Sequence, residues 1–162
     1  MKTRSLGVLA LALVPLLAAS ASAQMVIDKK VISADAARKI AEGCEAFAKA
    51  KGWHVSVWVL DETLTPLYFY RMQGTPMFTV KPAMMKAEAA VRTGQPNDAY
   101  VQNATTRGPF VATVNAIAQN YVLSPGGLPI MIDGQVAGGI GIGGSTDDRA
   151  CAQAGIDAVF KK

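Results

Sequence analysis

The stretch from Ser124 to Gly144 constrains this chain more than any other. Eight of the 15 glycines fall between residues 126 and 144. Leu128–Ile132 and Gln135–Ile142 read as strands, and only Asp133-Gly134 separates them. An Asp-Gly pair between two such runs favours a type I′ turn, which needs positive φ at both positions and closes a hairpin. Gly139, Gly141 and Gly143 alternate along the second strand, so one of its faces carries no side chains. A helix, another backbone or a flat ligand can approach that face closely. The same residues match G-x-G-x-x-G, but they lie in a hairpin and only 18 residues follow Gly144. No βαβ unit fits there, which excludes a dinucleotide fingerprint.

The rest of the chain supplies helices and a second hairpin. Ser33 is placed to cap a helix over 34–51, with Ala37, Ile40, Ala41, Cys44, Phe47 and Ala48 at helical spacing and Gly52 at its end. Trp53–Leu60 and Leu67–Met72 are rich in β-branched and aromatic residues and are joined by a short turn. Val80–Thr93 predicts a second helix, closed by Gly94 and Pro96. Asn97–Gln119 carries no clear period and reads as irregular. Ser145 or Thr146 caps a last helix, with Asp147 and Asp148 in its first turn, running to Phe160. Hairpins flanked by helices predict an α+β fold with an antiparallel sheet.

Residues 1–23 read as a signal peptide. Lys2 and Arg4 precede an apolar stretch from Leu6 to Ala19, and Ala21-Ser22-Ala23 is an A-x-A cleavage site. Fourteen residues are too few to cross a bilayer, which needs about 20. Residues 24–162 are then one exported domain, periplasmic or secreted, with no later membrane span. In an oxidising compartment the two cysteines, Cys44 and Cys151, are expected to form a bridge. The chain is 51% apolar and 17% charged, which excludes disorder, and its formal charge is only +4. No run of Lys or Arg exceeds two, which argues against a nucleic-acid partner.

Few residues announce catalysis. There is one histidine, His54, and no G-x-S-x-G elbow, so no serine triad is indicated. No ligand spacing for a metal is present, and no catalytic residue is assigned. The free N–H groups at the start of the last helix could hold an anion. Arg71 follows Tyr68-Phe69-Tyr70 at a strand end, where a guanidinium can meet a carboxylate.

The strings SPGGLPIMIDGQVAGGIGIGG (124–144), AARKIAE (36–42), VWVLD (57–61), YRMQGTP (70–76) and KAEAAVRTGQP (86–96) together resemble the GlcG/HbpS-like haem-binding family. That family also supplies the C-terminal domain of PduO-type cobalamin adenosyltransferases. The resemblance spans about Val31 to Val159. It departs where the family's Arg-Met-Asp-Gly reads Arg71-Met72-Gln73-Gly74, and where Glu88-Ala89 stands at the threonine common in the family's Lys-Ala-x-Thr-Ala. The resemblance implies a profilin-like or PAS-like antiparallel sheet with helices packed against it, assembled as a homo-oligomer. It implies haem or a similar small molecule as ligand, and in places haem degradation or redox sensing with a partner sensor protein. The motif positions expected near a pocket are Arg71, Met72, Gly74, Lys86, Pro125, Gly126, Gly127, Leu128 and Pro129. His54 is a candidate haem-iron ligand. Two alternatives stand beside this reading. One is an enzyme acting on a small organic acid, with Arg71 and Lys86 holding carboxylates and Asp61 as base. The other is an oligomeric interaction module without activity. In the fold so implied, the first and last helices share one face of the sheet. Small residues Ala41, Ala48 and Gly155 would let them approach, which pairs Cys44 with Cys151.

Overall fold

The computed structural model describes residues 27–99, 108, 122 and 124–161. The expected signal peptide, Met25, Arg107 and most of the stretch 97–119 lie outside these residues. The described elements are α1 (Ala34–Ala50), β1 (Ser56–Asp61), β2 (Pro66–Arg71), α2 (Val80–Thr93), β3 (Gly127–Ile132), β4 (Gln135–Gly143) and α3 (Asp148–Phe160). A 3-10 turn at Met77–Thr79 leads into α2.

The four strands form one antiparallel sheet in the order β2-β1-β4-β3. Two hairpins therefore meet along β1 and β4, with Trp58 opposite both Phe69 and Gly141. Asp133 and Gly134 have φ of 49° and 76°, the two positive values that a type I′ turn demands. Helices cover both faces, as the α+β reading requires.

α1 and α3 share one face. Ser33 Oγ accepts from Ala36 N at 3.1 Å and caps α1. Ile40, Cys44 and Ala48 of α1 pack with Val55, Val57, Val59, Ile130, Ile140 and Ile142, all fully buried. Cys44 and Cys151 are joined by a disulfide, with Cα atoms 4.8 Å apart. The closest helix contact differs from the expected one. A Cβ on Gly155 would stand 2.5 Å from the Ile40 carbonyl oxygen, and one on Gly43 would stand 2.6 Å from Ala158 Cβ. Gly43 and Gly155 thus set the approach, rather than Ala41 and Ala48.

α2 covers the other face, against the bare side of β4. A Cβ on Gly143 would lie 2.6 Å from the Thr79 carbonyl oxygen, and one on Gly139 would lie 2.6 Å from Val91 Cγ2. One on Gly141 would collide with the Ala83 carbonyl oxygen and the Ala87 nitrogen. The glycine face is therefore taken by a helix backbone, which leaves no place there for a flat ligand.

Two boundaries move from expectation for visible reasons. β1 begins at Ser56 rather than Trp53, because the Trp53 ring turns edge-on to Phe47 at the end of α1, 5.9 Å between centroids. The cap of α3 is Asp147, which accepts from Ala150 N at 2.9 Å. Ser145 and its backbone N–H instead donate to Asp148 Oδ1. Among the described residues no helix is long and apolar enough to cross a membrane.

Candidate functional site

The residues singled out by sequence do not form one site. The sheet brings them to one end of the molecule, where β1 begins, β2 and β4 finish and β3 starts. They then separate into two cavities and a buried brace between them.

The brace is Lys86. Its position on α2 puts its backbone against Gly127, and its side chain runs inward instead of out to solvent. The ammonium donates to Asp148 Oδ2 at 2.6 Å and to the Ile142 carbonyl at 3.0 Å, and the residue is 3% exposed. Gly126 Cα lies so close to Asp148 and Lys86 that a side chain there would collide with both. A buried ion pair of this kind is tolerated because the carboxylate and the carbonyl replace the lost water. Lys86 with Gly126 and Gly127 therefore ties α2 to the N-terminus of α3, and lines neither cavity. Asp147 takes the Ala150 N–H and Asp148 the Ser145 N–H, which puts the chain's own carboxylates at the start of α3, where the sequence left room for an anion. Asn97 adds a second tie. Its side chain accepts from Gly127 N at 2.8 Å and donates to the Val122 and Ser124 carbonyls.

The first cavity lies outside β2 and measures about 300 Å3. Glu45, Lys49, His54, Tyr70, Met72 and Gln73 line it. His54 Nδ1 lies 2.8 Å from the Gln73 carbonyl oxygen. A carbonyl only accepts, so Nδ1 carries a proton, and in the neutral ring the lone pair lies on Nε2. Gly74 follows at φ 84°, and a Cβ there would touch the imidazole at 3.5 Å. Met72 is buried, with Sδ 3.4 Å from Val55 N, and forms the inner wall. Lys49 Nζ holds Glu45 Oε1 at 2.8 Å. That hydrogen bond and the carboxylate's charge raise the Lys49 ammonium above its usual value. The Glu45 charge, then burial, then a hydrogen bond to Glu45 raise the Tyr70 phenol above its usual value. Arg71 does not line this cavity: it stands between Tyr70 and Met72, so its side chain leaves the opposite face of the strand, exposed, with Nη1 3.2 Å from the Thr75 carbonyl.

Glu45, Lys49, Tyr70 and Gln73 are additions that the sequence reading lacked. Tyr70 and Gln73 lay within the YRMQGTP string without a role, and the signal for Glu45 and Lys49 was opposite charges four residues apart on a helix.

The second cavity, about 370 Å3, opens along the other edge of the sheet. Leu128, Pro129 and Met131 of β3 face Arg149, Gln153 and Ile156 of α3, with Gly94 and Pro96 closing one end. Leu128 and Pro129 thus sit apart from His54 and Met72. Pro125 precedes this strand in the bend that leads to Gly126.

Asp61 belongs to neither cavity. Its Oδ1 accepts from Thr63 N, Thr63 Oγ1 and Thr65 N at 2.7–2.9 Å. Burial alone would raise its carboxyl, but these bonds from Thr63 and Thr65 outweigh burial and hold it below the usual value. Asp61 ends β1 five residues from Ser56, which pairs with Arg71. At about 3.3 Å per residue it lies roughly 17 Å from the Arg71 end of the strand. Arg71, Lys86 and Asp61 are therefore not assembled as an acid-binding catalytic group. Among the described residues no cluster of three or more metal-ligating side chains occurs.

The comparisons with known proteins agree with this architecture. A protein from Klebsiella pneumoniae, ORFY, superposes with a TM-score of 0.79 at 22% identity, covering 85% of this chain and 97% of that one. A double mutant of Streptomyces reticuli HbpS superposes at 0.75 with 25% identity, covering 93% and 99%. A PduOC–haem complex superposes at 0.73 with 22% identity, covering 80% and 96%. No curated protein sequence matches significantly. The sequence model of the family described as haem degrading protein HbpS-like matches residues 32–157. That match takes in every element from α1 to most of α3, and the chain belongs to the HbpS-like family.

Proposed function

We propose that this chain is an exported haem-binding protein and that the His54 cavity is its haem site. Membership of a family described by haem, together with His54, supports the reading. The observation that carries it is the bond from His54 Nδ1 to the Gln73 carbonyl. Iron-binding imidazoles commonly anchor the second ring nitrogen on a carbonyl or carboxylate, which fixes the tautomer and orients the free one. His54 has this arrangement before any ligand arrives.

The donor set fits haem. Haem, when bound, supplies an iron that accepts an imidazole and a redox couple close to the protein surface. His54 Nε2 offers the lone pair, Met72 and Tyr70 offer apolar walls, and Lys49 offers a cation for a propionate. A cavity of about 300 Å3 is at the lower end of small-molecule pockets. It takes one edge of a macrocycle and leaves the remainder outside. A second copy of the chain would cover that remainder, consistent with homo-oligomeric assembly. Phe69, Met77 and Phe78 are exposed apolar side chains available to such an assembly. Haem degradation or signalling to a partner sensor would be later uses of the same site.

Haem titration of residues 24–162 tests the proposal. The expected result is a Soret band that saturates at a defined ratio, shifts in His54→Ala and weakens in Lys49→Ala. A band that never saturates, or one identical in His54→Ala, overturns the site. Bleaching of a saturated band with added reductant and oxygen would extend the reading to degradation. Light scattering on the same sample reads the assembly, and a monomer mass rejects the oligomer.

A further inference from the structure

We infer that the second cavity is a separate binding site for a small amphipathic carboxylate, a linear or aromatic acid of roughly six to eight carbons. The site is built from two elements that the haem reading does not use. α3 turns two faces outward from its axis. Cys151 and Gly155 face α1, while Arg149, Gln153 and Ile156, at i, i+4 and i+7, face the cavity. β3 supplies Leu128, Pro129 and Met131 from the opposite wall. Pro129 has no N–H, so this edge of the sheet presents one donor fewer.

The polar content is concentrated at one end. Arg149 is the cation that lines the cavity, and its side chain is half exposed. Nη1 donates to Asp98 Oδ2, which shows the guanidinium already oriented toward a carboxylate. Among the described residues Asp98 is its one hydrogen-bond partner, and the guanidinium has five N–H donors in all. Gln153 offers no charge, and its amide nitrogen is engaged by Asp157 Oδ1 at 2.7 Å. A cation beside the apolar side chains of Leu128, Pro129, Met131 and Ile156 selects an anion with an apolar tail, and the planar fork favours carboxylate. The volume, about 370 Å3, suits a short tail rather than a long fatty chain.

Calorimetry with hexanoate, and with hexanamide as its uncharged counterpart, tests the assignment on residues 24–162. Hexanoate should bind saturably, and at least about tenfold more tightly than hexanamide, the value of one charge-assisted contact. Arg149→Gln should remove that preference by weakening hexanoate alone. Ile156→Trp should fill the cavity and weaken both probes. His54→Ala should leave both unchanged, which separates this site from the haem cavity. Equal affinity for the two probes, an Arg149→Gln protein that still prefers hexanoate, or loss of hexanoate binding in His54→Ala would each overturn it. Circular dichroism of each variant confirms that the fold is retained. If Arg149→Gln does not fold, Ile156→Trp together with the hexanoate/hexanamide ratio decides the question.

Discussion

The two faces of the sheet are built in opposite ways. On the α2 face, glycines let helix backbone meet strand backbone, and the contact is sealed by close approach. On the α1/α3 face, Val57, Val59, Ile140 and Ile142 fill the space with side chains, and a disulfide fastens the helices above them. Backbone contact leaves no volume for a ligand. Side-chain contact leaves gaps where the helices end short of the outer strands. The His54 cavity, beside β2, adjoins that face at one edge of the sheet, and the Arg149 cavity, beside β3, adjoins it at the other. The glycine-rich signature, the most conspicuous part of the sequence, thus belongs to the sealed face.

Removing the fastener should have the largest effect. Cys44→Ala/Cys151→Ala opens a loop of separation 107 and should cost about 4 kcal/mol by the chain-entropy account. Denaturant unfolding reads it. A loss well under 1 kcal/mol would show that Gly43–Gly155 packing alone holds α1 to α3.

Next comes the brace that joins the faces. Lys86→Met leaves Asp148 buried without its partner and should cost about 3 kcal/mol. Lys86→Met/Asp148→Leu should recover much of that, because both desolvated charges are then gone. A double variant no better than the single one would place the value of the pair in the Ile142 hydrogen bond instead.

Adjacent residues of β4 give a direct comparison of the faces. Gly141→Ala adds one methyl on the α2 face, where the Ala83 and Ala87 backbones leave no room, and should cost about 2 kcal/mol. Ile140→Val removes one methyl on the α1/α3 face and should cost about 1 kcal/mol. Equal costs in chemical unfolding would mean that α2 can shift outward, and that the sealed face is looser than its contacts imply.

Local signals carried most of the fold. α2 was readable over 80–93 because Gly94 adopts φ 64° at its C-cap, and Asp133-Gly134 named its own turn. Ser33 and the two cysteines were equally legible. The site was less so, because its chemistry depends on distant partners. Nothing near Lys86 in sequence shows that Asp148, 62 residues on, will take its ammonium. The motif strings placed Met72, Leu128 and Pro129 together, yet β1 and β4 stand between β2 and β3 and keep them apart. Lys49 and Arg149 escaped notice because each sits in a helix that reads as packing. Their role comes from which strand the helix end overhangs.

The smallest effect tests the electrostatics of the open edge. Glu45 raises both the Lys49 ammonium and the Tyr70 phenol, chiefly by its hydrogen bond to the first and its charge on the second. Both groups hold their protons more tightly in the folded chain than in the unfolded one, whose reference values are 10.5 and 10.0. The folded state then binds more protons through the alkaline range. The stabilising contribution is fully present below about pH 10 and is lost as pH rises through the folded-state values. Glu45→Gln should remove that dependence, so its stability should fall less steeply than wild type above pH 10. The Tyr70 ionisation, followed by tyrosinate absorbance as a difference between the two proteins, should move to lower pH in the variant. Ile140 is fully buried among apolar side chains, so Ile140→Val should leave the alkaline limb unchanged. If Glu45→Gln and wild type titrate alike, Glu45 turns to solvent, and Lys49 is free to meet a ligand carboxylate without first releasing one of its own.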